Sequence, residues 1–186
     1  MPKRTLEEVR QFVGNGVRLL MIRAVPDGES NPLFEETFAL FKEYYGKHCN
    51  DNTKPYAGVV ELIETLKEKG YAVAIVSNKI DFAVKELNDL YFKGIVPAAI
   101  GEKEGIRRKP APDTVFEALK ELGKTKEEAI YVGDSDVDIE TAKNAGMPCI
   151  SVLWGFRDKE FLAEHGAEYY AETTEEVSEL IAKIEE

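Results

Sequence analysis

The stretch "AIYVGDSDVDIETAKNAGMPCISVL", residues 129–153, carries the pattern that decides the fold. It contains two short apolar runs, "AIYV" and "CISVL", separated by polar, helix-forming sequence near 137–145. Strands that are buried on both faces of a parallel sheet have such near-continuous apolar runs. The stretch therefore predicts a strand, a helix and a second strand in succession.

The same alternation continues on both sides of this stretch. Further apolar runs, "YAVAIVS" and "VPAAI", predict strands, and "AEYYAE" predicts another near the C-terminus. Helical patterns cover 59–70, 80–92, 113–122 and 159–165, and a last helix begins after Thr173 with Glu176 three residues on. Such alternation predicts an α/β fold, a Rossmann-like parallel sheet with helices on both faces.

The first fifty-odd residues have a different pattern, because they contain helical signals and no strand signal. Thr5 and Glu8 form a capping-box pattern ahead of "VRQFVGNGVRLLMIRAV", and "NPLFEETFALFKEYYGKHC" repeats apolar residues three and four apart. Pro55 to Gly58 is the expected hinge. We therefore predict a helical segment over 1–54 and an α/β domain over 55–186.

Composition excludes several classes of protein. The 186 residues include 44% hydrophobic and 32% charged residues and a net charge of -11. This acidity argues against nucleic acid and anionic membranes as partners. Cys49 and Cys149 lack metal-type spacing, and the N-terminus lacks a signal peptide. We expect a reduced, cytoplasmic protein, and leave open whether it forms a homodimer.

Three carboxylates crowd the turn after the strand "AIYV". Asp134, Asp136 and Asp138 stand on alternate residues, and two carboxylates about 5 Å apart repel by roughly 3 kcal/mol at an effective dielectric constant near 20. Asp134 and Asp138 can point into the same crevice, where Mg²⁺ would take one or two carboxylates and complete its shell with water and phosphate oxygens. The alternative is that these residues only cap the following helix.

Two other strand ends and loops carry candidate phosphate ligands. Ser77 and Asn78 end the strand "YAVAIVS", where a hydroxyl and backbone N–H groups can bind a phosphate oxygen or cap the next helix. Lys109 precedes Pro110 in "RKPAPD", a segment that the prolines hold extended. Lys109 could neutralise phosphate oxygens or a nucleophilic carboxylate, or belong to a solvated basic patch.

A hydroxyl at a strand end, then a lysine before a proline-held helix, then G-D-x-x-x-D resembles motifs II, III and IV of the haloacid dehalogenase superfamily. The chain is most similar to its phosphoglycolate phosphatase-like branch, through "KPYAGVVELIETLKEKGYAVAIVSNK", "RKPAPDTVFEAL" and "YVGDSDVDIETAKNAGMPCISVLWGFR". The resemblance implies that Ser77 binds the phosphoryl group, that Lys109 steadies nucleophile and phosphate, and that Asp134 and Asp138 hold Mg²⁺. Asp136 falls at a variable position.

The resemblance also implies a first strand with a D-x-D-G-T motif, whose first aspartate attacks phosphorus to form an aspartyl-phosphate. This sequence has no D-x-D-G-T. Met1 to Ala24 resembles the second half of the family's helical cap, so the central first strand between those ending at Ser77 and Asp134 has no counterpart. We expect a strand-wide slot there, unless the sheet is rearranged to close it.

The missing motif leaves three explanations: a start site that omits the N-terminus, a rearranged sheet, or a noncatalytic descendant that another chain completes. We favour the first, and expect residues 1–186 alone to be nearly inert. The alternative function is a noncatalytic module that binds phosphate and Mg²⁺ or mediates an interaction. A response-regulator receiver domain is disfavoured, because receivers place their acidic pair on the first strand.

"VGNGV", at 13–17, interrupts a helical pattern where the family's cap approaches the active site. Glycine and asparagine favour a turn between helices, which is one interpretation. The other is that Asn15, Arg18 or the neighbouring backbone contacts the substrate. A small phosphorylated metabolite, a phosphate ester, would suit such a cap-covered crevice.

Overall fold

The structure is a computed structural model that describes residues 1–13 and 16–185. Its helices and strands alternate from α4 onward. In chain order the elements are α1 (Leu6–Phe12), α2 (Gly16–Ala24), α3 (Phe34–His48), α4 (Val59–Glu68), β1 (Ala74–Ile80), α5 (Asp81–Tyr91), β2 (Ala98–Glu102), α6 (Asp113–Leu122), β3 (Tyr131–Gly133), α7 (Asp136–Ala145), β4 (Cys149–Val152), α8 (Lys159–Glu164), β5 (Tyr169–Ala171) and α9 (Thr174–Ile184). The predicted α/β class is confirmed.

All observed strand pairs are parallel, as predicted. β1 pairs with β2, with Ala74 opposite Ala98, and β4 lies between β3 and β5, with Val132 opposite Ile150. The strands form two separate sheets, one of two strands and one of three. Among residues 1–13 and 16–185, the structure therefore does not show the rearranged sheet that would close the expected slot.

A groove of about 770 Å³ lies between the two sheets. One wall is formed by residues 72–76, which include the start of β1 and the two residues before it. The other wall is formed by residues 129–134, which include β3 and the residues next to it. Helix α6 and the ends of α4 and α9 contribute apolar side chains to it. The groove continues to Lys109, Asp134 and Asp138 at one end, so it reaches the predicted site.

Local capping explains where several helices begin and end. The Thr5 hydroxyl accepts a hydrogen bond from the Glu8 N–H and the Glu8 side chain accepts one from the Thr5 N–H, which confirms the capping box. Thr173 likewise accepts from the Glu176 N–H at the start of α9. α7 ends at Ala145 and is followed by Gly146 with φ of 73°, a left-handed conformation that glycine adopts without strain.

The first helical stretch predicted in the N-terminal segment is divided into two helices. α1 ends at Phe12 and α2 begins at Gly16, so the "VGNGV" stretch separates two helices. Asn15, a predicted substrate contact, lies outside the described residues.

Apolar packing forms distinct clusters. Met21, Val25, Phe34 and Phe38 form one within residues 1–54, and two further clusters lie in 55–186, around Ile150 with Val177 and around Tyr131 with Ala142. The division at residue 54 stays a prediction. In the described part of the chain, no helix combines the length and apolarity that crossing a membrane requires.

Candidate active site

Hydrogen bonds fix both the backbone and the side chain of Lys109. Its N–H donates to Asn78 Oδ1 at 2.8 Å, and Asn78 Nδ2 donates to the Lys109 carbonyl at 3.0 Å. The Lys109–Pro110 peptide bond is cis. Because Asn78 belongs to β1 and is buried, these two bonds fix the lysine-bearing loop to the end of that strand.

The side chain of Lys109 points to the beginning of α7. Its Nζ lies 2.7 Å from Asp138 Oδ1 and 3.1 Å from the Tyr131 hydroxyl. The Lys109 and Asp138 side chains are only 12% and 7% exposed, so this is a buried ion pair. Since Asn78 follows the middle of β1 and Asp138 follows β3, Lys109 bridges the carboxyl ends of the two sheets.

Both oxygens of Asp138 accept hydrogen bonds from protein groups. Oδ1 accepts from Lys109 and from the Tyr131 hydroxyl at 3.0 Å, and Oδ2 accepts from Ser135 Oγ at 2.6 Å and from the Asp134 N–H at 3.2 Å. Gly133 allows this packing, because a Cβ there would overlap the Asp138 side chain. Asp138 therefore anchors the lysine.

These contacts set the charge states in the site. Burial acts to raise the pKa of Asp138, but the Lys109 ammonium and the donated hydrogen bonds hold that pKa below its ordinary value. Burial, reinforced by the Asp138 charge, raises the pKa of the Tyr131 phenol well above its usual range. Asp138 is thus an anion and Tyr131 a neutral donor at neutral pH.

Asp134 occupies a different environment from Asp138. Its Oδ2 accepts a hydrogen bond from the Phe156 N–H at 2.9 Å, and the adjacent Gly155 leaves no space for a Cβ beside the carboxylate. Burial raises the pKa of Asp134, and the neighbouring Asp138 charge acts in the same direction. A carboxyl whose charge is disfavoured in this way gains from a bound cation.

Comparison with known proteins places this arrangement in a family. The family model for haloacid dehalogenase-like hydrolases matches residues 1–152 of the 186-residue chain. The chain belongs to the haloacid dehalogenase-like hydrolase family. The resemblance inferred from the three sequence motifs is thereby confirmed.

Relatives within the family carry phosphatase names. The chain is 34% identical to the phosphoglycolate phosphatase of Aquifex aeolicus over 81% of this chain and 69% of that protein. It is 34% identical to phosphoglycolate phosphatase 1 of Pseudomonas aeruginosa over 88% of this chain and 62% of that one. It is also 33% identical to the Listeria monocytogenes pyrophosphatase PpaX over 99% and 82%. The chain thus spans roughly two thirds of the length of the phosphoglycolate phosphatases.

A solved structure supports the same placement. A candidate phosphoglycolate phosphatase from Lactobacillus delbrueckii subsp. bulgaricus superposes with a TM-score of 0.90 at 37% identity, over 96% of this chain and 83% of that one. The fold of this family member is therefore that of known haloacid dehalogenase-like structures.

Among the carboxylates of the site, Asp134 is the one that is suited to bind Mg²⁺. In the described residues there is no group of three or more histidine, cysteine or acidic side chains that could hold a metal ion. Asp138 already accepts four hydrogen bonds, and Asp136 pairs with Arg157 at 3.4 Å. Mg²⁺ can bind through one carboxylate with water and phosphate oxygens, so Asp134 fits this mode.

The remaining predicted site residues have other contacts. Ser77 Oγ accepts a hydrogen bond from the Lys79 N–H at 3.1 Å, as a turn-capping hydroxyl does. Arg18 pairs with Glu29 at 2.7 Å and Glu35 at 2.6 Å, within the N-terminal helical segment. The structure therefore brings Asn78, Lys109, Asp134 and Asp138 together, and the described polar contacts of Arg18 lie elsewhere. The substrate roles of Ser77 and Arg18 stay predictions.

Sequence reasoning missed Tyr131 and the Phe156 N–H as parts of the site. Tyr131 looked like an apolar strand residue, and its polar end is visible in the sequence only as a phenol in an otherwise aliphatic run. Arg10 was also missed, although its guanidinium donates to the Gly155 carbonyl at 2.9 Å and to that of Phe156 at 3.2 Å. Arg10 thereby ties α1 to the loop that holds Asp134.

Proposed function

We propose that residues 1–186 form the partial cap and the phosphoryl-binding core of a magnesium-dependent phosphomonoester hydrolase. The observation that carries the proposal is the buried Lys109–Asp138 pair beside Asp134, where the carboxyl ends of β1 and β3 approach each other. Ligands of parallel α/β sheets bind at such strand ends. The substrate is a small phosphate ester, as in the phosphoglycolate phosphatases that the chain resembles.

Each described residue has a separable task in this proposal. Asn78 holds the Lys109 backbone, Asp138 orients the Lys109 ammonium, and that ammonium neutralises phosphoryl oxygens. Asp134 is the carboxylate that would hold Mg²⁺. The ion, when bound, supplies positive charge to the phosphoryl oxygens. Ser77 would donate its hydroxyl hydrogen to one of those oxygens.

The covalent step requires a group that this sequence does not provide in the family's position. Attack by an aspartate carboxylate oxygen would form an oxygen–phosphorus bond, break the bond from phosphorus to the ester oxygen and release the alcohol, which takes a proton from a general acid; water would then hydrolyse the aspartyl-phosphate to carboxylate and inorganic phosphate. Because the sequence lacks D-x-D-G-T, we propose that residues 1–186 bind phosphate without turning over esters. The expected rate of p-nitrophenyl phosphate hydrolysis with Mg²⁺ is at background level, and robust turnover would refute this inactivity.

The binding part of the proposal is tested by calorimetry with inorganic phosphate and MgCl₂. We expect saturable binding to the native chain and a loss of at least about tenfold in affinity for Lys109→Met, because one charge-assisted contact is removed. Lys103→Met is the matched control, since Lys103 pairs with Glu117 of α6 and does not line the groove that reaches Lys109, Asp134 and Asp138. Absence of binding to the native chain, or equal binding by Lys109→Met, contradicts the proposal.

Two alternatives can be separated from the leading one. The relationship to pyrophosphatase PpaX makes inorganic pyrophosphate a competing ligand, so it is titrated beside a phosphate ester. A noncatalytic phosphate-binding module predicts the same calorimetry. The genomic reading frame distinguishes the two, because the hydrolase requires a D-x-D-G-T sequence upstream of Met1.

A further inference from the structure

A single peptide unit lies between Arg10 of α1 and the carboxylate of Asp134. The Gly155 carbonyl accepts a hydrogen bond from Arg10 Nη2 at 2.9 Å, and the Phe156 N–H donates to Asp134 Oδ2 at 2.9 Å. This carbonyl and this N–H belong to the same amide group. The peptide bond is trans, so the two groups point in opposite directions. Arg10 and Asp134 therefore hold the amide from its two sides.

The guanidinium of Arg10 binds two successive carbonyl groups. Besides the Nη2 bond to Gly155, its Nε donates to the Phe156 carbonyl at 3.2 Å. Successive carbonyls point to opposite sides of an extended chain, so one side chain can bind both only where the chain bends, as it does over 153–157. A planar guanidinium presents its N–H groups in a fixed fork, which a lysine ammonium does not. Arg10 thus stabilises this bent conformation.

Other contacts hold the chain on both sides of this amide. The Leu153 N–H donates to the Ala171 carbonyl at 2.9 Å, Arg157 pairs with Asp136 at 3.4 Å, and Asp158 caps the start of α8. In the described part of the chain, the amide between residues 155 and 156 has no hydrogen-bond partners besides the arginine and the carboxylate named above. A change on the arginine side is therefore transmitted to the carboxylate side.

Arg10 is also the residue through which α1 reaches residues 55–186. Among residues 1–13 and 16–185, every hydrogen bond between α1 and 55–186 comes from Arg10. The other polar contacts of α1 stay within 1–54, such as the bond that Arg23 Nη1 donates to the Phe12 carbonyl at 2.9 Å. The orientation of the amide beside Asp134 hence depends on the position of α1.

The charges on the two sides of the amide reinforce both of its hydrogen bonds. A cation at the carbonyl and an anion at the N–H polarise the amide in the same sense, so each bond strengthens the other. Hydrogen bonds to a carboxylate are also stronger than those between neutral groups. With Oδ2 held in this way, the Asp134 carboxylate keeps one orientation. A metal ligand that is already oriented loses less conformational entropy when the ion binds.

We propose that Arg10 is a positioning residue for Mg²⁺ binding, which orients the Asp134 carboxylate through the amide between Gly155 and Phe156. This inference rests on the proposed function, in which Asp134 holds Mg²⁺. Arg10 acts through the amide and not as a ligand. Its charge and its positioning have opposite effects, because removing a positive charge favours binding of a cation, whereas releasing the carboxylate disfavours it. A weaker Mg²⁺ affinity without Arg10 therefore cannot come from the lost charge.

The test compares Arg10→Met with Arg23→Met by NMR titration of the full chain with MgCl₂. Arg23 is the matched control, because it is another exposed arginine that bonds to a backbone carbonyl, and its replacement removes the same charge. We expect the Mg²⁺ affinity, measured from the shift of the Asp134 amide, to fall at least about threefold in Arg10→Met. In Arg23→Met it should stay within about twofold of the native value. Circular dichroism checks that both variants are folded.

Two further measurements follow the hydrogen bonds of the amide directly. Without Mg²⁺, exchange of the Phe156 N–H with water should be at least about threefold faster in Arg10→Met than in the native chain, and unchanged in Arg23→Met. Because coupling between two sites is reciprocal, Mg²⁺ should slow exchange of the Arg10 Nε–H in the native chain. The last measurement needs no variant, so it keeps the test valid if Arg10→Met misfolds.

The outcomes separate positioning by Arg10 from a merely structural contact. Equal or tighter Mg²⁺ binding by Arg10→Met, with saturable binding by the native chain, overturns the positioning role and leaves the proposed function standing. Unchanged Phe156 exchange in Arg10→Met overturns it too, as does an Arg10 Nε–H whose exchange rate is the same with and without Mg²⁺. If the native chain shows no saturable response to Mg²⁺, or Asp134→Asn keeps that response, Asp134 is not the metal ligand and the proposed function fails at that point.

Discussion

Replacing Lys109 by methionine leaves a carboxylate without its cation in a buried site. The Asp138 side chain is 7% exposed, and its Oδ1 lies 2.7 Å from the lysine Nζ. At an effective dielectric constant of 20 the lost attraction is about 6 kcal/mol, and breaking one partner of a buried pair typically costs about 3 to 5 kcal/mol. Hydrogen bonds from Tyr131 and Ser135 remain.

Protonation of Asp138 limits the loss of unfolding free energy in Lys109→Met and makes that loss depend on pH. With an unfolded pKa near 3.9, protonating the carboxyl costs about 4 kcal/mol at pH 7 and about 1.5 kcal/mol at pH 5. In the native chain the folded pKa of Asp138 lies below its ordinary value, so its contribution to stability is constant between pH 5 and 7. In Lys109→Met the ammonium no longer opposes the effect of burial, so we expect the folded pKa of Asp138 to lie above the unfolded one and the stability of the variant to fall as pH rises through this range.

Urea unfolding, followed by the fluorescence of the single tryptophan, Trp154, and by circular dichroism, measures these free energies. We expect Lys109→Met to lose about 3 to 4 kcal/mol at pH 7 and roughly 2 kcal/mol less at pH 5. Lys109→Met with Asp138→Asn should recover at least about 2 kcal/mol at pH 7, whereas Lys103→Met should lose under about 1 kcal/mol. A loss at pH 7 no larger than that of Lys103→Met, or one that is equal at both pH values, would refute the reasoning.

Three further predictions concern neighbouring residues. Burial raises the pKa of the Cys149 thiol to about 12. At pH 8 the alkylation of Cys149 by iodoacetamide, measured by mass spectrometry, should therefore be about a thousandfold slower in the folded chain than in urea. Comparable rates in the two conditions would contradict this burial. Gly133→Ala should lower the free energy of unfolding in urea by about 2 kcal/mol or more, because the added Cβ would overlap the Asp138 side chain. An unchanged stability would show that α7 can move aside. Asn78→Ala removes two hydrogen bonds to the Lys109 backbone and should cost about 2 to 3 kcal/mol in thermal unfolding, while a loss below 0.5 kcal/mol would mean that the loop is held by other contacts.

The sequence predicts helices better than the limits of its strands. The α6 pattern gave both ends correctly, Asp113 and Leu122, because an amphipathic period and a following glycine mark them. The strand predicted over 71–77 is observed over Ala74–Ile80. Strand limits depend on where a neighbouring strand supplies hydrogen bonds, and that information lies in the register with β2.

The sequence predicts which charged residues form the site better than it predicts their hydrogen-bond partners. Motif spacing brought Lys109 and Asp138 to one place, and the structure shows them paired. The same spacing suggested that Asp134 and Asp138 both hold Mg²⁺, and the folded chain gives these two carboxylates different surroundings. Such differences depend on the Phe156 N–H and the Tyr131 hydroxyl, whose directions are set by tertiary packing. The roles of Asn15 and Arg18 stay predictions.

The two bonds between Asn78 and Lys109 join positions 31 residues apart, and the ion pair to Asp138 spans another 29. Closing a loop of about 30 residues costs roughly 3 kcal/mol of chain entropy, and each of these closures depends on strands that are themselves paired over long distances. The ammonium group thus reaches its place only when both sheets have assembled. The charged pocket is therefore expected to form together with the tertiary structure, and not within any one short segment of the chain.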